Sequence, residues 1–312
     1  MTFPTPALHW NIALVGYGEV GRILAEDLRM YIKTVTACDL KVGAGDTAAA
    51  AAMQDHASKL GVALSATHPG TVAGADLVIC AVTASQTVAA AEACAPGLKP
   101  GAFFLDLNSA SPAAKIRAAG IIEKAGGRYV EAAVMTSVPP YRIRVPLLLG
   151  GPHATAIEPG LKVLGFEAKV ASEKLGVASA TKMCRSVMIK GLEAMVIESF
   201  TAARAYGVED AVIASLYETF PGIDWEKQAS YFFQRVIEHG RRRSEEVREV
   251  AVTVREIGLT PWSAQGTAER QAWVADLAEE GLFGNKGSKE FARSADWRIE
   301  ADRILAKVKP VK

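Results

Sequence analysis

The stretch Asn11-Ile12-Ala13-Leu14-Val15-Gly16-Tyr17-Gly18-Glu19-Val20-Gly21-Arg22-Ile23-Leu24 constrains this chain more than any other. Ile12 to Val15 is an unbroken apolar run, the pattern of a strand that a parallel sheet covers on both faces. Gly16, Gly18 and Gly21 follow as G-x-G-x-x-G, and a helical pattern starts at Glu19. In such a turn the first glycine permits the bend and the second lets backbone approach a pyrophosphate. The third lets the helix pack on the strand. The start of the helix offers unpaired N–H groups and a partial positive charge to phosphates. A second apolar run, Val35 to Cys38, ends at Asp39, about 20 residues on, where an acid meets a ribose. The glycines alone are weak evidence. With strand, helix and acid in these places, a dinucleotide site is the better reading than an empty glycine turn.

With 312 residues, half of them hydrophobic, the chain suits two domains with a large core. Its formal charge of +1 gives no general attraction to nucleic acid or to an anionic membrane. No apolar run approaches the roughly 20 residues of a membrane span. Met1 to His9 lacks the basic and apolar regions of a signal peptide, so a cytoplasmic location is expected. Cys38, Cys80, Cys94 and Cys184 form no C-x-x-C pair and read mostly as reduced, buried thiols. The five histidines show no metal-ligand spacing, and no metal is expected.

Met1 to Trp10 reads as a loose leader, followed by a first helix from about Glu19 to Met30. Lys41 to Asp46 reads as a loop, with Asp46 as N-cap of the alanine-rich helix that Gly61 ends. A short strand is expected at 62–64 and a buried one from Leu77 to Val82. Thr83-Ala84-Ser85-Gln86 then leads into a helix reaching about Ala95. Ala102 to Asp106 is the next strand, with Ser111 and Pro112 as N-cap and N1 of a helix that stops near Gly126-Gly127. Strands are also expected at 129–134, 146–149 and 167–171. Strands alternating with helices at this spacing predict an α/β Rossmann domain, doubly wound around a mostly parallel sheet, over 1–172. Charged residues become denser past residue 172 and the pattern turns all-helical, which sets a second domain over 173–312. A helix from about 177 to 206, on the order of 45 Å long at 1.5 Å per residue, joins the two and is capped by Gly207. Further helices are expected at 209–220, 224–239, 241–257 and 261–280. Arg241-Arg242-Arg243-Ser244-Glu245-Glu246 reads as a solvated face with i,i+4 pairing.

Ligands of such sheets bind at the carboxyl ends of the strands. The glycine turn, Asp39, Val82 to Gln86 and Asp106 to Ser109 collect there. Asp39 would accept hydrogen bonds from a ribose 2′-hydroxyl and repel a 2′-phosphate, which favours NAD. Lys41 could complex a phosphate, so NADP stays open, and Asp39 can also be read as a turn-starting aspartate. Gly176-Val177-Ala178-Ser179-Ala180-Thr181-Lys182 places a lysine after small residues near the start of the long helix. Lys182, Arg185, Ser186 and Lys190 fall on one face of it. A lysine at a helix N-terminus opposes the macrodipole and holds its proton less firmly, which suits acid–base work. From these residues alone an ordinary solvated lysine is the better reading.

Taken together, these segments resemble the β-hydroxyacid dehydrogenase family, the relatives of 6-phosphogluconate and 3-hydroxyisobutyrate dehydrogenases. The glycine turn matches, Asp106-Leu107-Asn108-Ser109-Ala110-Ser111-Pro112 matches the family's D-x-[NS]-[ST]-x-x-P loop, and Val82-Thr83 matches the loop beneath the nicotinamide. Gly176 followed by Lys182 matches the helix of the catalytic lysine. The resemblance implies that Lys182 moves a proton while hydride passes between nicotinamide C4 and the substrate carbon, in a cleft between the domains, in a homodimer formed through the helical domains. It implies a cofactor site of Gly16, Tyr17, Gly18, Glu19, Val20, Gly21, Asp39, Leu40, Lys41, Val82, Thr83, Gln86 and Asn108. It implies a substrate site of Asn108, Ser109, Met135, Thr136, Arg185, Ser186 and His239. For His239 a helix-end cap is the better reading. The family usually carries two asparagines where this chain has Arg185 and Ser186, and a Ser-Gly-Gly strand end where it has Glu131 to Pro140 without glycines. The C-terminal region resembles a divergent subgroup.

The expected activity is reversible, NAD(P)-linked oxidation of a small, anionic hydroxy acid or similar polar alcohol, with Arg185 as a carboxylate clamp. Two rivals are an imine reductase, whose relatives generally lack the lysine, and a sensor that binds NAD(H) without turnover.

Overall fold

The computed structural model of the chain describes residues 7–43, 47–285, 288, 291, 294 and 296–308. It divides into two compact units, Met1–Met183 and Cys184–Lys312.

In the first unit, β1 (Ile12–Val15), α1 (Glu19–Leu28), β2 (Val35–Cys38), α2 (Leu40–Gly43), α3 (Thr47–Leu60), β3 (Ala63–Ser65), α4 (His68–Val72) and β4 (Leu77–Cys80) follow one another. Then come α5 (Thr87–Cys94), β5 (Phe103–Asp106), α6 (Pro112–Lys124), β6 (Arg128–Val134), α7 (Val138–Tyr141), β7 (Leu147–Gly150), α8 (Ala154–Val163) and β8 (Ala168–Ser172). The strands form one sheet in the order β3-β2-β1-β4-β5-β6-β7-β8. The order reverses beside β1, and the glycine turn and the ends of β4 and β5 follow neighbouring strands at that switch point.

Alternation along β1 explains why the run is apolar throughout. Ile12 and Leu14 enter one core with Leu24 and Leu28 of α1 and Ile157 and Leu161 of α8. Ala13 and Val15 enter the opposite core with Ala90 and Ala91 of α5 and Ala118 and Ile122 of α6. Every strand pair is parallel except β6–β7. The segment between those two contains only the four-residue α7 and a short 3-10 turn. That is too little helix for the usual parallel crossover, so the chain turns back.

Several details depart from the expectations. Ala7–His9 is a 3-10 turn rather than loose leader, and Trp10 is buried over Gly160, where a Cβ would lie 2.4 Å from its ring. Residues 41–43 of the expected loop belong to the helical turn Leu40–Gly43, and the proposed cap Asp46 lies outside the described residues. The strands expected at 62–64, 146–149 and 167–171 each sit one residue later.

The long helix is α9 (Val177–Tyr206), and α10 (Glu209–Thr219), α11 (Trp225–Glu256), α12 (Trp262–Glu279) and α13 (Trp297–Lys307) follow it. Phe200, Phe233, Val274, Phe283 and Trp297 share the core of the second unit. The two helices expected at 224–239 and 241–257 are one, α11. Gly240 does not break it: a Cβ there would lie 2.7 Å from the Gln271 carbonyl oxygen, so its smallness lets α11 approach α12. The arginine run is only partly a solvated face. Arg242 pairs with Glu246 one turn on, but Arg241 reaches Asp276 and Glu279 on α12, and Arg243 is buried against Glu193 of α9. No described helix is long and apolar enough to cross a membrane.

Candidate active site

Gly16 has a φ of +95°, and a Cβ on it would sit 2.4 Å from the Ala81 carbonyl oxygen. A Cβ on Gly21 would sit 2.1 Å from the Gly16 carbonyl oxygen, so α1 rests directly on the turn. Gly18 differs: a Cβ there would meet nothing within 4 Å. It is the N-cap of α1, and no side chain caps that helix end, with Glu19 exposed and Val20 half-buried on its first turn. Open space above an uncapped helix start is what a pyrophosphate needs, so these residues fit a dinucleotide.

Asp39, half-buried at the end of β2, is braced by backbone. Its Oδ2 accepts from the Tyr17 N–H at 2.9 Å and its Oδ1 from the Lys41 N–H at 3.0 Å. The second bond is the local turn that the competing reading foresaw, and a carboxylate still has lone pairs for a ribose. Leu40 and Lys41 are exposed beside it. The Tyr17 side chain is turned away from solvent. Its ring is wholly buried, its hydroxyl lies 3.0 Å from His56 Nδ1, and burial pushes the phenol up to about 12. At Tyr17 it is therefore the backbone that meets Asp39, while the ring packs into the core.

The loops after β4 and β5 are joined through Asn108. Its Oδ1 accepts the Val82 N–H at 2.7 Å, its backbone N–H donates to Asp106 Oδ1 at 2.8 Å, and its side chain is buried. Thr83 and Gln86 are exposed on the loop so held. Beneath them lies a polar cluster that the sequence did not disclose. Asp106 and Lys115 of α6, each 1% exposed, form an ion pair at 2.8 Å. Lys115 also donates to the Asp106 carbonyl at 2.9 Å, and the Tyr129 hydroxyl donates to Asp106 at 2.6 Å. Burial, with the Asp106 charge next to it, holds the Tyr129 phenol well above its ordinary range.

Lys182, half-buried in the second turn of α9, donates from Nζ to Ser109 Oγ at 2.5 Å. Residues 73 apart in sequence thus meet beside the β5 loop. Met135 is half-buried and Thr136 exposed just past β6. Of the residues expected in the second unit, Arg185 is exposed and makes no ion pair among the described residues, while Ser186 is buried. His239 lies in the middle of α11, so it caps no helix end, and burial pulls its imidazole below its ordinary range. Among the described residues no cluster of three or more His, Cys, Asp or Glu could hold a metal ion. Cys184 is exposed, unlike the other three cysteines.

The model of the NAD binding domain of 6-phosphogluconate dehydrogenase matches residues 11–170, and a domain of unknown function matches residues 203–274. A conserved hypothetical protein from Sinorhizobium meliloti 1021 is 34% identical with a TM-score of 0.78, covering 98% of this chain and 99% of its own. A conserved protein of unknown function, described as structurally similar to 3-hydroxyacid dehydrogenases, is 26% identical with a TM-score of 0.68, over 86% of this chain and 99% of its own. The 3-hydroxyisobutyrate dehydrogenase of Mycobacterium tuberculosis shares the fold at 17% identity and a TM-score of 0.65, over 95% of this chain and 99% of its own.

Proposed function

Because the chain belongs to the family defined by the NAD binding domain of 6-phosphogluconate dehydrogenase, we propose that it is an NAD-linked dehydrogenase interconverting a small hydroxy acid and its oxo form. The observation that carries this reading is the 2.5 Å contact between Lys182 Nζ and Ser109 Oγ, at the carboxyl end of β5 next to the loop that Asn108 ties to Val82. When bound, the nicotinamide supplies the hydride acceptor or donor. Neutral Lys182 takes the substrate's hydroxyl proton as its C–H hydrogen leaves as hydride; in the reverse direction the ammonium returns the proton to the carbonyl oxygen. Ser109 accepts a hydrogen bond from Lys182 and keeps its own O–H to direct at substrate. Asn108 acts as a positioning residue, since its carboxamide is engaged with Val82. The test is a panel of 3-hydroxy acids, serine and the matching oxo acids, followed by NADH absorbance with NAD and NADP. NADH binding without consumption of NADH on any oxo acid would reject the enzyme in favour of a sensor.

Asp39 sets the cofactor within this reading. Its carboxylate accepts from the ribose 2′-hydroxyl and repels a 2′-phosphate. NAD(H) should bind at least about tenfold tighter than NADP(H), and Asp39→Ala should erase that gap, about 1.4 kcal/mol. Fluorescence titration with both reduced cofactors checks it. Equal affinities in the unmodified protein would hand the pocket to Lys41.

Arg185 follows Lys182 by one helical turn on the same face of α9. An exposed guanidinium without an ion-pair partner among the described residues suits capture of a carboxylate rather than a structural bridge. Arg185→Ala should lower kcat/KM on the best substrate of the panel by roughly 2–5 kcal/mol if the charge pair is desolvated, with little change in melting temperature. Unchanged kinetics would leave the anionic substrate without a clamp. A homodimer through the helical unit belongs to the same reading, in which the exposed side chains of Met188, Met195 and Trp262 find cover.

A further inference from the structure

Glu131 stands in the middle of β6, in Arg128-Tyr129-Val130-Glu131-Ala132-Ala133-Val134, and is 0% exposed. An ionised carboxylate at such a depth is costly unless donors meet its oxygens. They come from one place. Oε1 accepts the Ala178 N–H at 3.1 Å and Oε2 accepts the Ser179 hydroxyl at 2.8 Å. Both groups belong to the first turn of α9, whose N–H groups have no partner within the helix and carry its positive dipole end. Ser179 is itself 2% exposed, and Gly176 before the helix has a φ of +90°.

The neighbouring strand is shaped to admit this side chain. Gly150 of β7 stands opposite Glu131, and a Cβ on it would lie 2.3 Å from Oε1. On the other side, Asp106 of β5 pairs in register with Glu131. Two buried carboxylates on adjacent strands thus hold the two halves of one contact. Asp106 anchors the loop of Ser109 through the Asn108 N–H, and Glu131 anchors the helix of Lys182, which lies one residue short of a full turn beyond Ser179.

We propose that Glu131 is the positioning residue for Lys182, seating the first turn of α9 so that the lysine reaches Ser109. The proposal rests on the reading of Lys182 as the proton-transfer group. Its physical basis is leverage: a helix start that shifts by about 1 Å carries the lysine with it, and misplacement on that scale costs on the order of a hundredfold in rate. An ionised Glu131 would also set a negative charge against the positive end of the helix dipole on which Lys182 stands. A residue that merely stabilised the fold would leave the titration of Lys182 untouched.

The test uses the full chain without cofactor first. Lysines are reductively methylated with ¹³C-formaldehyde, and the Lys182 resonance is assigned by its loss in Lys182→Arg. Glu131→Gln keeps the shape and removes the charge. It should displace the Lys182 titration midpoint downward by at least about half a pH unit and speed amide exchange at Ala178 about tenfold or more. Turnover on the best hydroxy acid of the panel should fall about tenfold to a hundredfold, with the NADH dissociation constant within about twofold. Ser179→Ala, which removes one donor and keeps the charge, should speed exchange at Ala178 with a smaller loss of turnover, and it serves if Glu131→Gln does not fold. Unchanged turnover and an unchanged Lys182 titration in the folded variants would overturn the proposal. Full turnover in Lys182→Ala would instead sink the reading it rests on, while accelerated exchange in Glu131→Gln would still report the helix cap.

Discussion

Lys182→Ala is expected to lower turnover by roughly two to four powers of ten, the range for losing a general acid–base group, with NADH affinity nearly unchanged. The separation follows from where the groups stand. In the proposed reading the phosphates would take the open helix start at Gly18 and the ribose would take Asp39, and neither group needs Lys182. The lysine instead meets Ser109 at 2.5 Å. Because the loss falls on the step that moves the proton, kcat and kcat/KM should drop together, the pattern of an interaction made in the transition state. Lys182→Arg should not rescue the rate. A guanidinium stays protonated at any working pH, so it can donate to Ser109 but cannot take a proton. Single-turnover measurements with the best hydroxy acid of the panel, alongside NADH titrations, check both variants. Near-normal turnover in Lys182→Ala would remove the lysine from the mechanism and leave the fold assignment standing.

The parts of this protein that are legible in sequence are those set by neighbouring residues. The glycine turn declares itself because two of its glycines answer a local need: the positive φ of Gly16 and the 2.1 Å approach of Gly21 to the Gly16 carbonyl. Ser111 is readable as an N-cap for the same reason, since its hydroxyl accepts from Ala114 three residues on. Features set by distant chain were not readable. Gly240 looks like a helix break, and only α12, packed against it, makes it a point of close approach. Arg243 looks solvated until Glu193, fifty residues away, is seen against it. The helix α13 was missed, although Asp296, whose side chain accepts the Arg298 N–H, is a local signal for its start. Glu131 left a fainter mark, a lone acid inside an apolar strand pattern. Its meaning depended on the first turn of α9, 47 and 48 residues later.

Lys115→Met is expected to destabilise the protein by about 3–5 kcal/mol, the penalty for leaving one member of a buried ion pair without its partner. Lys115 and Asp106 are each 1% exposed, so water does not replace the lost ammonium group. Methionine fills nearly the same space, which keeps a cavity from accounting for the loss. Asp106 retains the Tyr129 hydroxyl at 2.6 Å and the Asn108 N–H at 2.8 Å, two donors for a full negative charge. The double variant Lys115→Met with Asp106→Asn removes that charge and should recover much of the stability, since a buried pair taken out as a whole costs far less than one broken in half. The effect should also reach the site. Asn108 hangs from Asp106 and holds Val82, so loosening Asp106 in Lys115→Met should weaken NADH binding as well as lower the denaturation midpoint. Urea titrations of the three proteins, with NADH affinity measured on each, separate the accounts. A double variant no more stable than Lys115→Met would mean that the lysine acts through packing rather than charge, and unchanged NADH affinity in the single variant would detach the ion pair from the loop it underlies.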